Sequence, residues 1–274
     1  RSRRKYPGMT TTACFPTADT LECFRKGVRA ENEDRLAGPP TRWRDPAEPT
    51  VPVRCRTFFG DEMELVLPDP VAISIERYGH MEANLTTMLL ATLRPGMTFY
   101  DVGAHAGYFT LLAARLVGPT GAVHAFEPTP WTFELLRRNT AGLGNTTLVP
   151  KAVWSGPGKL TIRDCGPRFA AFNSFARPRL PDEVLRWVDV REVEAQALSL
   201  DGYAAETGAR PDFVKIDAES AEAHVLRGME GLLNEARPIV SLETGDLDVP
   251  GVPRTAELVE HLLARGYSVL EYAE

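Results

Sequence analysis

The sequence predicts an α/β protein built on a doubly wound, mostly parallel sheet, and two observations carry this prediction. From residue 96 onward, short runs of apolar and β-branched residues alternate with longer segments whose apolar residues recur at helical spacing. The strand-like runs and the helix-like segments follow one another repeatedly, which builds a parallel sheet covered by helices on both faces. In such sheets ligands bind at the carboxyl ends of the strands.

The main domain, residues 96–274, contains six strand-like segments in addition to a strand-rich excursion from Lys159 to about Leu200. The six are "MTFYDV" (97–102), "AVHAFE" (122–127), "TTLVPKAV" (146–153), "DFVKID" (212–217), "PIVSLE" (238–243) and "YSVLEY" (267–272), the last of them expected to be antiparallel. Helices are predicted over "YFTLLAARLV" (108–117), "PWTFELLRRNTAGLG" (130–144), "SAEAHVLRGMEGLLN" (220–234) and "TAELVEHLLARG" (255–266).

Two further regions precede this domain. Residues 1–50 form an N-terminal extension, with a short helix predicted over 19–36, Asp19 as its N-cap, and a proline-rich linker at its end. Residues 51–95 are predicted to form a β-hairpin with its turn at Gly60, followed by a helix over 81–93.

Composition excludes several function classes. The net charge of −6 argues against nucleic-acid binding, although four of the first five residues are basic and are interpreted as a chain end or a partner-binding arm. The four cysteines fit neither zinc nor redox spacing, which is typical of a cytoplasmic protein. No apolar run is long enough to span a membrane, and no apolar signal region is present at the start. A homo-oligomer remains possible.

The turn after the first strand of the main domain predicts a ligand site. Gly103 and Gly107 bracket the segment that contains Ala104 and His105, so the pattern is G-x-x-x-G and lacks the third glycine of a pyrophosphate-binding turn. Asp101 precedes it and would repel a phosphate but suits a cation such as an ammonium group. We therefore expect a ligand that carries both an ammonium and a carboxylate, and we expect Gly107 to let it approach the helix backbone.

Glu127 ends the second strand, where an acid binds ribose hydroxyls in nucleotide-binding sheets. Together with the first turn, it describes a nucleoside joined to an amino acid, which is S-adenosylmethionine. The alternative to a ligand site is that the glycine caps a helix and that Glu127 is an ordinary surface residue. Pro128 and Ala152 are assigned to the same cofactor site.

The acceptor side is predicted at the end of "DFVKID". Asp217 ends this strand and Glu219 follows at the start of the next helix, where acids also serve as ordinary caps. Glu243 points to the same rim. These three carboxylates could hold a magnesium ion, although binding of the cofactor amine or capping explains them equally.

The motifs "FYDVGAHAGYFTLLAA", "AFEPTPWTFELLRRN", "DFVKIDAESAEAHVLRGM" and "RPIVSLE" resemble, in this order, those of the FkbM-family methyltransferases. The resemblance implies a class I (Rossmann-like) S-adenosylmethionine-dependent fold and O-methylation of small molecules, often sugars or polyketide hydroxyls. Glu82 matches an acid that the family often has upstream of the first strand. The family commonly has glycine where this chain has Ser220.

The sequence thus predicts an O-methyltransferase of a secondary-metabolite pathway, with a small-molecule acceptor and neither a nucleic acid nor a membrane as partner. The base that takes the hydroxyl proton is expected to be the Asp217/Glu219 pair or His105. Two other classes remain open: a nicotinamide-dependent oxidoreductase, and a binding protein that kept the cofactor fold without catalysis.

Overall fold

The structure is a computed structural model and describes residues 15–37, 45–245 and 251–270. The basic segment at the start, the first part of the proline-rich linker (38–44) and the end of the predicted last strand (271–272) lie outside the described residues.

The N-terminal part forms a helix, a hairpin and two further helices. These elements are α1 (Ala18–Ala37), β1 (Val51–Arg56), β2 (Glu62–Leu67), α2 (Pro70–Tyr78) and α3 (Ala83–Thr92). The helices predicted over 19–36 and 81–93 correspond to α1 and α3, and the predicted hairpin is confirmed as well. The hairpin strands are antiparallel, with Val51 opposite Leu67. The cap of α1 differs from the prediction, because the Thr20 amide donates to Thr17 Oγ1 at 3.2 Å while Asp19 lies in the first turn.

The central sheet has five parallel strands, as the alternating pattern predicts. They are β3 (Thr98–Val102), β4 (Ala122–Phe126), β5 (Thr146–Val149), β9 (Phe213–Ile216) and β10 (Ile239–Leu242), in the order β10-β9-β3-β4-β5. The chain enters at β3, moves outward to β5, and returns to β9 on the other side of β3. The switch point between β3 and β9 is where a ligand is expected to bind in such a sheet.

The helices that connect these strands are α4 (Tyr108–Val117), α5 (Pro130–Asn139), α7 (Leu200–Thr207), α8 (Glu222–Arg227) and α9 (Glu230–Glu235), and α10 (Thr255–Leu263) follows the last strand. The helix α4 has the predicted bounds. One apolar core joins the hairpin, α2, β3 and α4, and includes the buried side chains of Leu65, Ile75, Phe99 and Leu112. Each such side chain contributes about 1.5–3 kcal/mol by leaving water.

The predicted strand-rich excursion is also confirmed. A second sheet, in the order β6-β8-β7, consists of β6 (Ala152–Val153), β7 (Gly158–Asp164) and β8 (Arg191–Leu198). The connection between β7 and β8, residues 165–190, is called the insertion below. It contains a 3-10 turn at Ala170–Phe172 and the short helix α6 (Asp182–Leu185) around a small apolar cluster.

Several predicted elements differ from the structure. The strand predicted over 146–153 is divided into β5 and β6, which belong to different sheets. The helix predicted over 220–234 is divided at Gly228, where a Cβ would lie 2.1 Å from the carbonyl oxygen of Trp154. The residues 267–270 form no strand, so the antiparallel last strand is not present in this part of the chain. Within the described residues, every helix is too short or too polar to cross a bilayer.

Candidate active site

A cavity of about 250 Å³ lies at the carboxyl ends of β3, β4 and β9. Nine of the eleven site residues predicted from the sequence line it, and they are Glu82, Gly103, Ala104, His105, Glu127, Pro128, Ala152, Asp217 and Glu219. Asp101 and Gly107 do not line it. Glu243, which the sequence places on the same rim, lines it as well.

The turn after β3 is shaped by Gly103. Its φ is 74°, and a Cβ at this position would lie 1.8 Å from the carbonyl oxygen of Asp217. The amides of Gly103 and Ala104 both donate to the Phe126 carbonyl at 3.0 Å. A residue with a side chain would therefore push apart the two loops that form the cavity floor.

Gly107 is required for a different reason than predicted. Its φ is 96°, but a Cβ would lie 2.7 Å from Cδ1 of Leu136 on α5. The position that a side chain would occupy therefore faces the neighbouring helix and not the ligand. The expectation that Gly107 opens the helix backbone to the ligand is wrong in this respect.

Glu127 organises the turn from the second strand. The residue is 6% exposed, with Oε2 accepting from the His105 amide at 3.0 Å and Oε1 from the Thr129 amide at 2.9 Å. Burial raises the pKa of Glu127 to about 7, although these two hydrogen bonds act in the opposite direction. The Thr129 hydroxyl also hydrogen-bonds to this carboxylate. A carboxylate has about four lone-pair sites, so one remains available to a hydroxyl of a ligand.

Lys215 is the main functional residue that the predicted site set lacks. Its fully buried ammonium lies 3.2 Å from Asp101 Oδ1 and 3.3 Å from Asp217 Oδ2, and it donates to the Gly103 carbonyl at 3.0 Å. The Thr110 hydroxyl donates to Asp101 Oδ2 at 2.6 Å. The structure thus gives Asp101 an internal cation in place of the ligand cation that the sequence predicts. A single lysine inside an otherwise apolar strand is the signal that could have identified this pair, because a buried charge needs a partner.

His105 faces the cavity as a neutral imidazole. Burial is the largest cause that lowers its pKa to about 4, and Lys215 adds to this effect while Asp217 opposes it. Neither ring nitrogen has a hydrogen-bond partner among the described residues. Both nitrogens are therefore available to a bound molecule.

Three acids form what we call the carboxyl cluster: Asp217, Glu219 and Glu243. One carboxylate oxygen of each lies within 4.8 Å of the other two. Glu243 is exposed at the rim of the cavity, and the partial loss of hydration there, followed by the charge of Asp217 and a hydrogen bond to it, raises its pKa above the ordinary value. Burial and the charge of Asp217 raise the pKa of Glu219 to about 8. Burial acts to raise the pKa of Asp217 too, but Lys215 and the hydrogen bond from Glu243 hold it below its ordinary value.

The backbone under this cluster is strained. Glu219 and Ser220 have φ values of 45° and 81°, in the left-handed region that costs a residue with a side chain about 1–2 kcal/mol. Ser220 is buried, and its hydroxyl has no hydrogen-bond partner among the described residues. Glu222 Oε1 holds this turn by accepting from the amides of Ala218 and Ser220 at 3.2 Å each. The glycine that the family commonly has at position 220 would relieve this strain.

The insertion is tied to the cluster by Arg179. Its side chain is 12% exposed, and its guanidinium lies 3.8 Å from Glu219 Oε2 and 3.9 Å from Glu222 Oε2. The Ser174 hydroxyl, also in the insertion, donates to the Glu219 carbonyl at 2.5 Å. These contacts place the insertion directly over the carboxyl cluster.

The remaining cavity wall is apolar. Its side chains come from α2, the segment before α3, β7, the residue after β6 and the insertion, and include Val71, Met81, Trp154, Leu160, Ile162, Phe172 and Phe175. Asp69 joins two parts of this wall, since Oδ1 accepts from the Val71 amide at 3.0 Å and Oδ2 from the Ala171 amide at 3.3 Å. Burial raises the pKa of Asp69 to about 7, against the effect of these hydrogen bonds.

Comparison with known proteins identifies the family. The family model described as "Methyltransferase FkbM domain" matches residues 101–269. The chain belongs to the FkbM methyltransferase family. It is therefore a methyltransferase that uses S-adenosylmethionine, and the predicted α/β fold with a parallel central sheet is confirmed.

Two curated proteins illustrate the range of similarity to this FkbM-family chain. The 31-O-demethyl-FK506 methyltransferase FkbM of Streptomyces tacrolimicus is 30% identical over 203 residues, which are 65% of this chain and 75% of that protein. A protein-L-isoaspartate O-methyltransferase of Methanothrix thermoacetophila is 35% identical over 96 residues, which are 35% of this chain and 43% of that protein.

Solved structures resemble the FkbM-family chain over parts of their length. Fibrillarin of Aeropyrum pernix, determined with bound S-adenosylmethionine, aligns with a TM-score of 0.40 and 12% identity over 65% of this chain and 60% of its own. Precorrin-6y C5,15-methyltransferase of Geobacter metallireducens aligns with a TM-score of 0.41 and 16% identity over 69% and 74% of the two chains.

The cavity fits the cofactor of the family. Glu127 offers an acceptor lone pair to a hydroxyl group, His105 offers two unpartnered nitrogens, and the carboxyl cluster supplies negative charge for a cationic ligand. The contact of each residue with the cofactor stays a prediction.

Proposed function

We propose that this protein transfers the methyl group of S-adenosylmethionine to a hydroxyl of a small molecule of the sugar or polyketide type, in secondary metabolism. One observation carries the proposal: titratable groups and an apolar wall face each other across a single cavity. A hydroxyl acceptor needs a group that takes its proton, and an organic acceptor needs apolar surface to bind.

One group of residues is proposed to bind the cofactor and another to bind the acceptor. When bound, S-adenosylmethionine supplies an activated methyl group on a positively charged sulfur. Glu127 and the turn after β3 hold the nucleoside end, while the insertion, fixed by Arg179 and Asp69, shapes the acceptor end. Positioning of the two reactants supplies most of the rate in a displacement of this kind.

The base is proposed to be Glu219, with His105 as the second candidate. Its Oε2 has no hydrogen-bond partner among the described residues, and its backbone is held by Ser174. The pKa of Glu219, raised to about 8, makes its carboxylate a stronger base than an ordinary one, whereas the lowered pKa of His105 makes that imidazole a weak base.

Magnesium, which the sequence leaves open, is not required by this proposal.

The relative named as an FK506 methyltransferase supports a natural-product acceptor. Cys23, Cys55 and Cys165 are free thiols, which supports a reducing, cytoplasmic location. Membership of the family removes the nicotinamide-dependent oxidoreductase from consideration.

Methyl transfer to a panel of monosaccharides and polyketide-type hydroxy compounds tests the proposal. Mass spectrometry of the product should place the new methyl group on oxygen. Glu219→Gln should lower the rate about 100-fold or more, which is typical for loss of a general base. The matched control is Glu192→Gln, which changes an exposed carboxylate on β8 and should leave the rate unchanged. Methylation on nitrogen or carbon, or full activity of Glu219→Gln, would contradict the proposal.

A further inference from the structure

The methyl-transfer end of the cavity carries more carboxyl groups than cations. Lys215 is shared between Asp101 and Asp217, at 3.2 and 3.3 Å. Arg179 lies at longer distances between Glu219 and Glu222. Each of these two cations is therefore paired with two acids. Among the described residues, Glu243 forms no ion pair with Lys215 or with Arg179.

The charged and titratable groups that face the carboxyl cluster come from every element around it. They are Lys215 on β9, His105 in the turn after β3, Glu82 before α3, Cys165 and Arg179 in the insertion, and Glu222 on α8. The thiol of Cys165 is neutral, because burial raises its pKa to about 12. His105 is neutral as well, so Lys215 and Arg179 are the two cations among these groups, and they balance only Glu82 and Glu222. The excess of acid therefore comes from the three carboxyl groups of the cluster itself.

Protons balance this excess when no cation is bound. The carboxyl of Glu243 donates a hydrogen bond to the carboxylate of Asp217. One carboxylate oxygen of Glu219 lies within 4.8 Å of those of the other two acids, and its pKa, raised to about 8 by burial and by the charge of Asp217, favours the protonated form near neutral pH. The base of the proposed reaction is thus blocked in the free protein.

We propose that binding of the cationic cofactor expels a proton from the carboxyl cluster, so that the cofactor itself creates the base. This inference rests on the proposed function. Glu219 and Glu243 line the same cavity as Glu127 and His105, which are the predicted cofactor-binding residues. A positive charge in this cavity favours the ionised form of the carboxyl groups that line it.

The carboxyl cluster can then take up the proton that the reaction releases. Transfer of a methyl group to a hydroxyl forms a C–O bond, breaks the S–C bond, leaves a neutral thioether and frees the hydroxyl proton. With the positive charge gone, the proton affinity of the carboxyl cluster rises again. The cluster takes the freed proton and returns to its starting state.

Isothermal titration calorimetry in buffers of different ionisation enthalpy measures the proton release directly. At pH 7, with a chelator and without added metal, the wild-type protein should release about 0.5–1 proton for each S-adenosylmethionine bound. S-adenosylhomocysteine, which has the same nucleoside and amino acid but no sulfonium charge, should release clearly fewer. The affinity for S-adenosylmethionine should also rise from pH 6 to pH 8, because the deprotonated cluster is the form that binds the cation.

Glu219→Gln should release less than half as many protons as the wild type, whereas Glu192→Gln, the exposed control, should match the wild type. Equal proton release for the two ligands, binding without proton release, or release that appears only when magnesium is added would each overturn the inference and leave the proposed function intact. Failure of S-adenosylmethionine to bind at all would contradict the proposed function itself. The comparison of the two ligands uses the wild-type protein and holds even if a variant does not fold.

Discussion

Replacement of Lys215 by methionine tests how much the buried ion pairs at the carboxyl ends of β3 and β9 stabilise the fold. Methionine keeps an unbranched side chain of similar length but removes the ammonium that lies 3.2 Å from Asp101 and 3.3 Å from Asp217. Asp101 is fully buried, so its carboxylate would remain without a cation. Removal of one partner of a buried ion pair costs about 3–5 kcal/mol. That is a large part of the 5–15 kcal/mol, roughly, by which a typical domain is stable.

Urea denaturation gives the free energy of unfolding for this test. Lys215→Met should lower it by about 3–5 kcal/mol at pH 8 and by less at pH 5. The pH dependence follows because the unpaired acids in the variant have folded-state pKa values above their unfolded values, so that stability is lost as pH rises. Lys26→Met, an exposed substitution on α1, should change it by no more than about 0.5 kcal/mol.

The double variant Asp101→Asn/Lys215→Met should be more stable than Lys215→Met alone, because it no longer buries an unpaired charge at position 101. A loss below about 1 kcal/mol for Lys215→Met would refute this reasoning, since the ion pair would then lack the energy that its burial implies.

Three further predictions concern the backbone and the cavity wall. Gly103→Ala should lower the free energy of unfolding by more than about 2 kcal/mol in urea denaturation and should weaken cofactor binding. Gly107→Ala should leave the cofactor affinity within about threefold, because its Cβ faces α5. A larger loss of cofactor affinity in Gly107→Ala than in Gly103→Ala would contradict the assignment. Ser220→Gly should stabilise the protein by about 1 kcal/mol, and destabilisation would show that its left-handed backbone is not strained. Since burial raises the pKa of Asp69 to about 7, the stability of the wild type relative to Asp69→Asn should fall as pH rises from about 4 to 7, and a pH-independent difference would count against this pKa.

Local sequence patterns predicted the cofactor half of the fold well. The strand, turn and helix from Thr98 to Val117 were predicted because alternating apolar residues, glycines and an apolar helical stripe are all contained in one short stretch. The helices α2 and α7 were not predicted. The β-branched residues of "PVAISIERY" favour a strand by composition, and the signals of a helix start are local: the caps at Asp69 and Ser199, and Pro70 at the first position of α2.

The features that sequence reasoning missed depend on contacts between distant segments. The ion pair between Asp101 and Lys215 joins residues on different strands, so Asp101 alone suggested a ligand cation. The division of the predicted helix at Gly228 depends on the approach of the Trp154 carbonyl. The transfer of β6 to a second sheet likewise depends on its pairing with β8, which no local pattern encodes.

The central claim is that the cavity between β3, β4 and β9 binds S-adenosylmethionine with Glu127 as an anchor, and titration calorimetry tests it most directly. The wild-type protein should bind one S-adenosylmethionine and should not bind NAD. Glu127→Ala should weaken the binding by about 1.5–3 kcal/mol, or about 10- to 150-fold, which is the scale of a hydrogen bond to a charged group. An unfolding curve of the same variant controls for the loss of the His105 and Thr129 contacts. Unchanged affinity in the folded Glu127→Ala variant, or binding of NAD in place of S-adenosylmethionine, would contradict the account.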